Sequence, residues 1–116
     1  MLSWTGSLKV FLAVEPVDLR LGFEGLYMLV VERLKKDPHS GELYLFTNRN
    51  RNRIKLLYWD GTGLWVMAKR LEKGTFFWPK AAGEDEAKLS VAPEALVLLL
   101  NGMDLKNCAM RPWFRG

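Results

Sequence analysis

Cysteine is almost missing from this chain, and that scarcity removes two classes of protein at once. One residue, Cys108, among 116 builds neither a disulfide framework nor a cysteine metal site. Histidine is as scarce. His39 stands alone, in a turn beside Pro38, and a single imidazole without orienting partners makes no catalytic triad. Ser40 follows it, but adjacency in sequence is not a nucleophile–base pair. The glycines do not fall into the phosphate-cradling spacing of a Walker or Rossmann loop. Four acids, Asp18, Asp37, Asp60 and Glu72, could be asked to hold a nuclease metal, yet each has a simpler role as helix cap, turn residue, hairpin residue or turn-flanking charge. The chain is therefore expected not to be an enzyme, and to hold no metal and no cofactor.

Long apolar runs are missing too. No window reaches the roughly 18 residues of a membrane span. Val10 to Val14 is too short for a secretory signal and has neither a basic start nor a small-residue cleavage site. A soluble, cytoplasmic protein is expected.

What is present is an ordinary globular balance, 49% hydrophobic and 26% charged, in a length that fits one domain. Residues 1–104 read as that domain and 105–116 as a loose C-terminal tail. The net charge of +4 is concentrated. Residues 49–80 hold eight basic and two acidic side chains, a local +6, so the remainder carries −2. A basic segment favours an anionic partner.

The same segment carries the clearest structural signal. Ile54 to Trp59, Leu64 to Leu71 and Thr75 to Trp78 are runs of β-formers, separated by Asp60-Gly61-Thr62-Gly63 and Glu72-Lys73-Gly74, the pattern of consecutive hairpins. Before them, Leu8 to Val14 reads as a buried strand ended by Glu15-Pro16, and Glu42 to Thr47 as another. Between these two, Leu19, Phe23, Leu26, Val30 and Leu34 recur at helical spacing, with Asp18 in the N-cap position and Asp37-Pro38 as the stop. Gly22 and Gly25 fall inside this helix, where close packing against the sheet would explain them. Residues 80–88 read as a charged loop, and Ala92 or Pro93 to Asn101 as a second helix, apolar nearly all round. The fold class that follows is α+β: an antiparallel, hairpin-rich sheet of about five strands, with both helices packed on one face.

Arginine and lysine neutralise phosphates, and aromatic rings stack on bases. Candidate DNA contacts are Arg49, Arg51, Arg53, Lys55, Lys69 and Arg70, with Trp59 and Trp65 stacking or packing beside them and Arg20 near the start of the first helix. Strand alternation puts Arg53, Lys55 and Trp59 on one side of their strand, and Trp65 and Lys69 on one side of the next. Whether these form one face depends on the register of the hairpin. The alternative is a protein–protein adaptor whose aromatic sheet face docks a partner or a second copy, leaving the basic residues as a solvated rim. A helix-turn-helix does not fit, because the second helix carries no basic residue.

These stretches also resemble a known family. Asp18-Leu19-Arg20 with Gly22-Phe23 and Gly25-Leu26, then Asp37-Pro38-His39-Ser40-Gly41, come first. Phe46 with Asn48-Arg49, Arg53-Ile54-Lys55 and Trp59-Asp60-Gly61 with Gly63 follow. Lys69-Arg70-Leu71-Glu72 with Gly74, Trp78-Pro79, and Leu99-Leu100 with Gly102 complete a pattern running from Val10 to Asp104. In order and spacing it is similar to the small accessory protein, TnpB, encoded by the second open reading frame of IS66-type insertion sequences. Three positions depart from that pattern: Leu21 where a basic residue is frequent, Asn52 where Asp is expected, and Asn101 where an acid is common. The resemblance implies a role in transposition beside a separate transposase that carries the catalytic carboxylates, and it supplies no reaction of its own.

Overall fold

The computed structural model describes residues 8–79 and 87–102. Its elements are β1 (Val10–Ala13), α1 (Phe23–Glu32), β2 (Leu43–Thr47), β3 (Arg53–Trp59), β4 (Leu64–Arg70), β5 (Lys88–Val91) and α2 (Pro93–Leu100). They form one five-stranded sheet in the order β4-β3-β2-β1-β5. The sheet is mostly antiparallel, so the α+β class stands. The exception is β1 with β2, which run parallel with Val10 opposite Leu43. A parallel pair needs a crossover connection, and α1 supplies it. Only β2-β3-β4 is a meander.

The number of strands matches the sequence reading, but the identity of one differs. Thr75 to Trp78 is not a strand. After β4 this stretch forms part of the cover over the sheet, with Phe76 and Trp78 buried. The Trp78 indole N–H donates to the carbonyl of Ala13 at 2.9 Å. The fifth strand is β5, which pairs antiparallel with β1, in a stretch whose first residue the sequence assigned to a loop.

The helices occupy opposite faces, not one. Val10, Leu12, Leu43, Leu45, Ile54 and Leu56 point to the side covered by Phe76, Trp78 and α2, through Leu96 and Leu99. Ala13, Tyr44, Phe46 and Leu57 point to the side covered by α1, through Leu26 and Val30, with Leu34 just beyond its end. Alternate residues of a strand face opposite ways, so a sheet covered on both sides must have apolar residues at both parities. β2 meets that demand from Leu43 to Phe46, and all five of its residues are buried. Burying a side chain of this size contributes about 1.5–3 kcal/mol, so two apolar layers contribute far more than either helix does by its own propensity.

Helix boundaries also move. Asp18 does not cap α1. Its carboxylate accepts the backbone N–H of Arg20 at 2.9 Å and closes a separate turn, with the Leu21 N–H donating to the Asp18 carbonyl. The helix starts after Gly22, which no side chain caps, and ends at Glu32, short of Lys35 and Lys36. Lys35 takes a left-handed conformation, φ 56°, which turns the chain out of the helix. A Cβ on Gly25 would sit 2.7–2.9 Å from atoms of the Leu21 side chain, so this glycine makes room for the preceding turn and not for the sheet. Phe23, expected on the buried face, is 52% exposed. At the other end of the chain α2 begins at Pro93, as its place in the first turn allows. No helix among the described residues is long and apolar enough to cross a membrane.

Candidate nucleic-acid interface

The loop joining β2 to β3 is built by two asparagines. The Asn48 side-chain amide donates to Asn52 Oδ1 at 2.7 Å, and Asn48 Oδ1 accepts the backbone N–H groups of Asn52 at 3.1 Å and Arg53 at 3.2 Å. The Arg51 N–H donates to the Asn48 carbonyl, and Thr47 Oγ1 donates to the carbonyl of Arg53. Arg51 takes φ 56°, a left-handed conformation that costs most side chains free energy, held here by its neighbours. The chain beyond β4 secures the loop from outside: Leu71 N–H donates to the carbonyl of Asn52, and Phe76 N–H to that of Arg51. The result is a fixed loop with the backbone groups of Asn48, Arg51 and Asn52 used internally and the side chains of Arg49 and Arg51 turned to solvent.

Arg53 follows directly and lies opposite Arg70 in the β3–β4 ladder. Like charges placed opposite each other on neighbouring strands oppose pairing. Glu72 approaches Arg70 only to 3.8 Å, with both side chains well exposed. Among the described residues, no carboxylate pairs with Arg49, Arg51 or Arg53. Beside this pair lies a shallow groove of about 550 Å³, lined by Leu19, Arg53, Lys55, Ala68, Arg70 and Glu72 among others.

The remaining candidates are placed differently. Lys55 is on the same side as Arg53, but its ammonium donates to the carbonyl of Leu21 at 2.9 Å and ties the 18–21 turn to β3. Arg20 is engaged by Asp18 through Nε and Nη2 at 2.8–3.1 Å, which lowers the Asp18 pKa to about 2. Lys69 lies on the opposite side and donates to the carbonyl of Leu100 at the end of α2, at 2.7 Å.

The register also separates the aromatics. Tyr58 faces Trp65 and Trp59 faces Leu64, so Arg53, Lys55, Trp59 and Arg70 share one side while Trp65 and Lys69 share the other. The single face of Arg53, Lys55, Trp59, Trp65 and Lys69 does not exist. Trp59 packs on His39, the ring centroids 4.6 Å apart at 87°, and His39 also meets the edge of Tyr27. The lone histidine is thus a packed residue and not merely a solvated one. Trp65 is 41% exposed, and its indole N–H donates to Asp60 at 2.7 Å.

Asp60 accepts three further hydrogen bonds, from Thr62 N–H, Thr62 Oγ1 and Gly63 N–H, at 2.8–3.0 Å. These donors, the Trp65 indole first, hold its carboxyl far below the usual carboxylate range. Asp18 and Asp60 therefore spend their oxygens on local structure. Among the described residues, no group of three or more His, Cys, Asp or Glu is placed to hold a metal ion.

Two features were not read from the sequence. One is the asparagine latch, whose signal was the Asn-X-X-X-Asn spacing around Arg49 and Arg51. The other is a set of exposed apolar side chains on α1, Phe23, Met28 and Val31, at 52%, 46% and 39%. The tail from residue 105 lies outside the described residues.

Fold and site together define a small α+β protein that presents a fixed arginine loop and has no assembled group of metal-ligating residues among those described. The chain belongs to the family described as IS66 Orf2-like protein, whose model matches residues 8–110, and so to a group of transposition-associated accessory proteins. Two relatives from Sinorhizobium fredii, y4jC and y4hO, are both described as uncharacterized proteins. The first is 33% identical over 112 residues, covering 97% of this chain and 93% of the relative. The second is 35% identical over 101 residues, covering 87% and 85%. No solved structure matches.

Proposed function

We propose that this protein is a non-catalytic accessory of DNA transposition that binds the backbone of duplex DNA through its arginine loop. The observation that carries this reading is the opposition of Arg53 and Arg70 at the end of the β3–β4 ladder, next to the latched loop bearing Arg49 and Arg51. Two facing guanidinium groups with only a distant carboxylate are relieved by an anion, and Arg pairs with phosphate oxygens in a fork geometry. Lys55 and Arg20 extend the basic side, though each already has an internal partner. Duplex is preferred over single strands because neither tryptophan lies free beside the arginines, and stacking platforms dominate single-strand binding. The transposase of the same element is the second partner this role implies.

Binding of the purified chain to duplex and single-stranded DNA at two salt concentrations tests the proposal, using the element's terminal sequence and a scrambled one. Salt-sensitive duplex binding is the expected result. No binding at low salt sinks it.

The adaptor reading draws on the exposed apolar residues: Trp65 on the α2 side of the sheet, Phe23, Met28 and Val31 on α1, and Val97 on α2. Capture of the transposase that fails when Phe23 and Met28 become Ser, in a chain that binds no DNA, would favour it.

A further inference from the structure

The sheet has two edges, and they are unequal. β5 is four residues long, whereas β4 runs seven residues without proline, glycine or interruption of register. Long, flat, unguarded edges are templates for pairing with another chain. The outward groups of β4 can be identified. Leu71 N–H donates to the carbonyl of Asn52 and Asp60 N–H to that of Gly63, which fixes the odd-numbered residues of β4 as those bonded to β3. The N–H and C=O groups of Leu64, Val66, Ala68 and Arg70 therefore point away from the sheet, and none has a backbone partner among the described residues.

Charge along this edge is polarised. Lys69 and Arg70 lie at one end, and Asp60, held by Trp65, at the other. A strand laid alongside in the same direction would set lysine and arginine against their own kind. An antiparallel copy would set them against the acid and the indole.

We propose that β4 pairs antiparallel with β4 of a second copy about a two-fold axis at Met67, joining two five-stranded sheets into one. In this register Leu64 meets the partner's Arg70 and Val66 meets the partner's Ala68, so all four outward residues are bonded. On the side bearing α2, Trp65 lies opposite the partner's Lys69, a cation beside an aromatic ring and within reach of the Asp60 carboxylate. Lys69 keeps donors to spare beyond the one given to Leu100. The contact is isologous, and a closed two-fold is the commonest oligomer symmetry. It leaves the two arginine loops at opposite ends of the paired β4 strands, with the β5 strands outermost.

The test is the mass of the full chain in solution without DNA, by sedimentation equilibrium over a wide concentration range. A dimer is expected. Ala68→Pro removes an outward N–H that the monomer does not use, a position where edge strands tolerate proline. It should give a folded monomer whose melt stays cooperative but no longer shifts with protein concentration. Met67→Cys with Cys108→Ser should form a disulfide-linked dimer on mild oxidation, while Thr62→Cys in the same background should not. A chain that is monomeric throughout overturns the proposal, including one whose β4 takes up an extended transposase peptide instead. So does a dimer that survives Ala68→Pro and gives no Met67→Cys cross-link.

Discussion

Asn48 and Asn52 hold each other side chain to side chain, at 2.7 Å, across a loop whose exposed residues include two arginines. A loop fixed before binding loses less conformational entropy when it meets its partner. Asn48→Ala removes the acceptor of the Asn52 and Arg53 backbone N–H groups and should lower folding stability by about 1–2 kcal/mol. DNA affinity should fall while its dependence on salt stays the same, since every arginine remains. Denaturant unfolding and anisotropy titrations measure both.

The arginines themselves should behave in the opposite manner. Each phosphate contact contributes about 0.9 to the slope of log K against log salt. Replacing Arg49 and Arg51 by Gln should therefore flatten that slope by nearly two, with similar losses on terminal and scrambled DNA. Lys69→Gln, on the other side of the sheet, should leave the slope unchanged. Equal slopes for wild type and the Arg49/Arg51 double variant would remove the loop from the interface.

The two glycines at the start of α1 should respond in opposite directions. Gly25→Ala gains about 1 kcal/mol of helix propensity, but its Cβ meets Leu21 Cβ at 2.9 Å, and overpacking costs about 1–3 kcal/mol. A net loss is expected. Gly22→Ser enters open space at an extended φ of −99° and offers the uncapped helix an acceptor, worth a few tenths of a kcal/mol or more. Thermal melts of the two variants decide it.

Acid should weaken the fold through three carboxylates. Asp18 is lowered to about 2 and Asp60 further, each by hydrogen bonds. Burial pushes Glu42 up, but hydrogen bonds from Lys36, Ser40 and Tyr44 outweigh it and leave its pKa lowered. A depressed folded pKa stabilises above the unfolded value and loses that contribution as pH falls through the folded one. The melting temperature should be level from neutral pH to about 5 and fall steadily below about 4, where unfolded carboxyls begin to titrate. Asp60→Asn should shrink that fall, and tryptophan fluorescence should report it through Trp65.

How much of this could be read beforehand depended on the range of the signal. β3, β4 and their turn are local, so alternation and the Asp60-Gly61 break located them. The register was legible in principle, because a two-residue Gly61-Thr62 loop sets Trp59 opposite Leu64 and parts Arg53 from Lys69. Asp18 misled because turns and helix N-caps use the same acceptor chemistry. The second helical layer was written in β2, whose Leu43 to Phe46 run is apolar at every position, the mark of a strand covered on both sides. β5 had no such mark. Lys-Leu-Ser-Val is a strand because β1 lies beside it, which is tertiary context and not propensity.

The place of β1 in the sheet governs how the chain can be made. This strand emerges early, yet it sits between β2 and β5, and β5 is among the last described elements to leave the ribosome. Until then the nascent chain holds an open edge along β1 and an apolar face awaiting α2. A chain released after β4 would carry both into solution, where unpaired edges seed aggregation. Soluble yield should therefore depend on the final quarter of the gene, far from the arginines proposed to bind DNA.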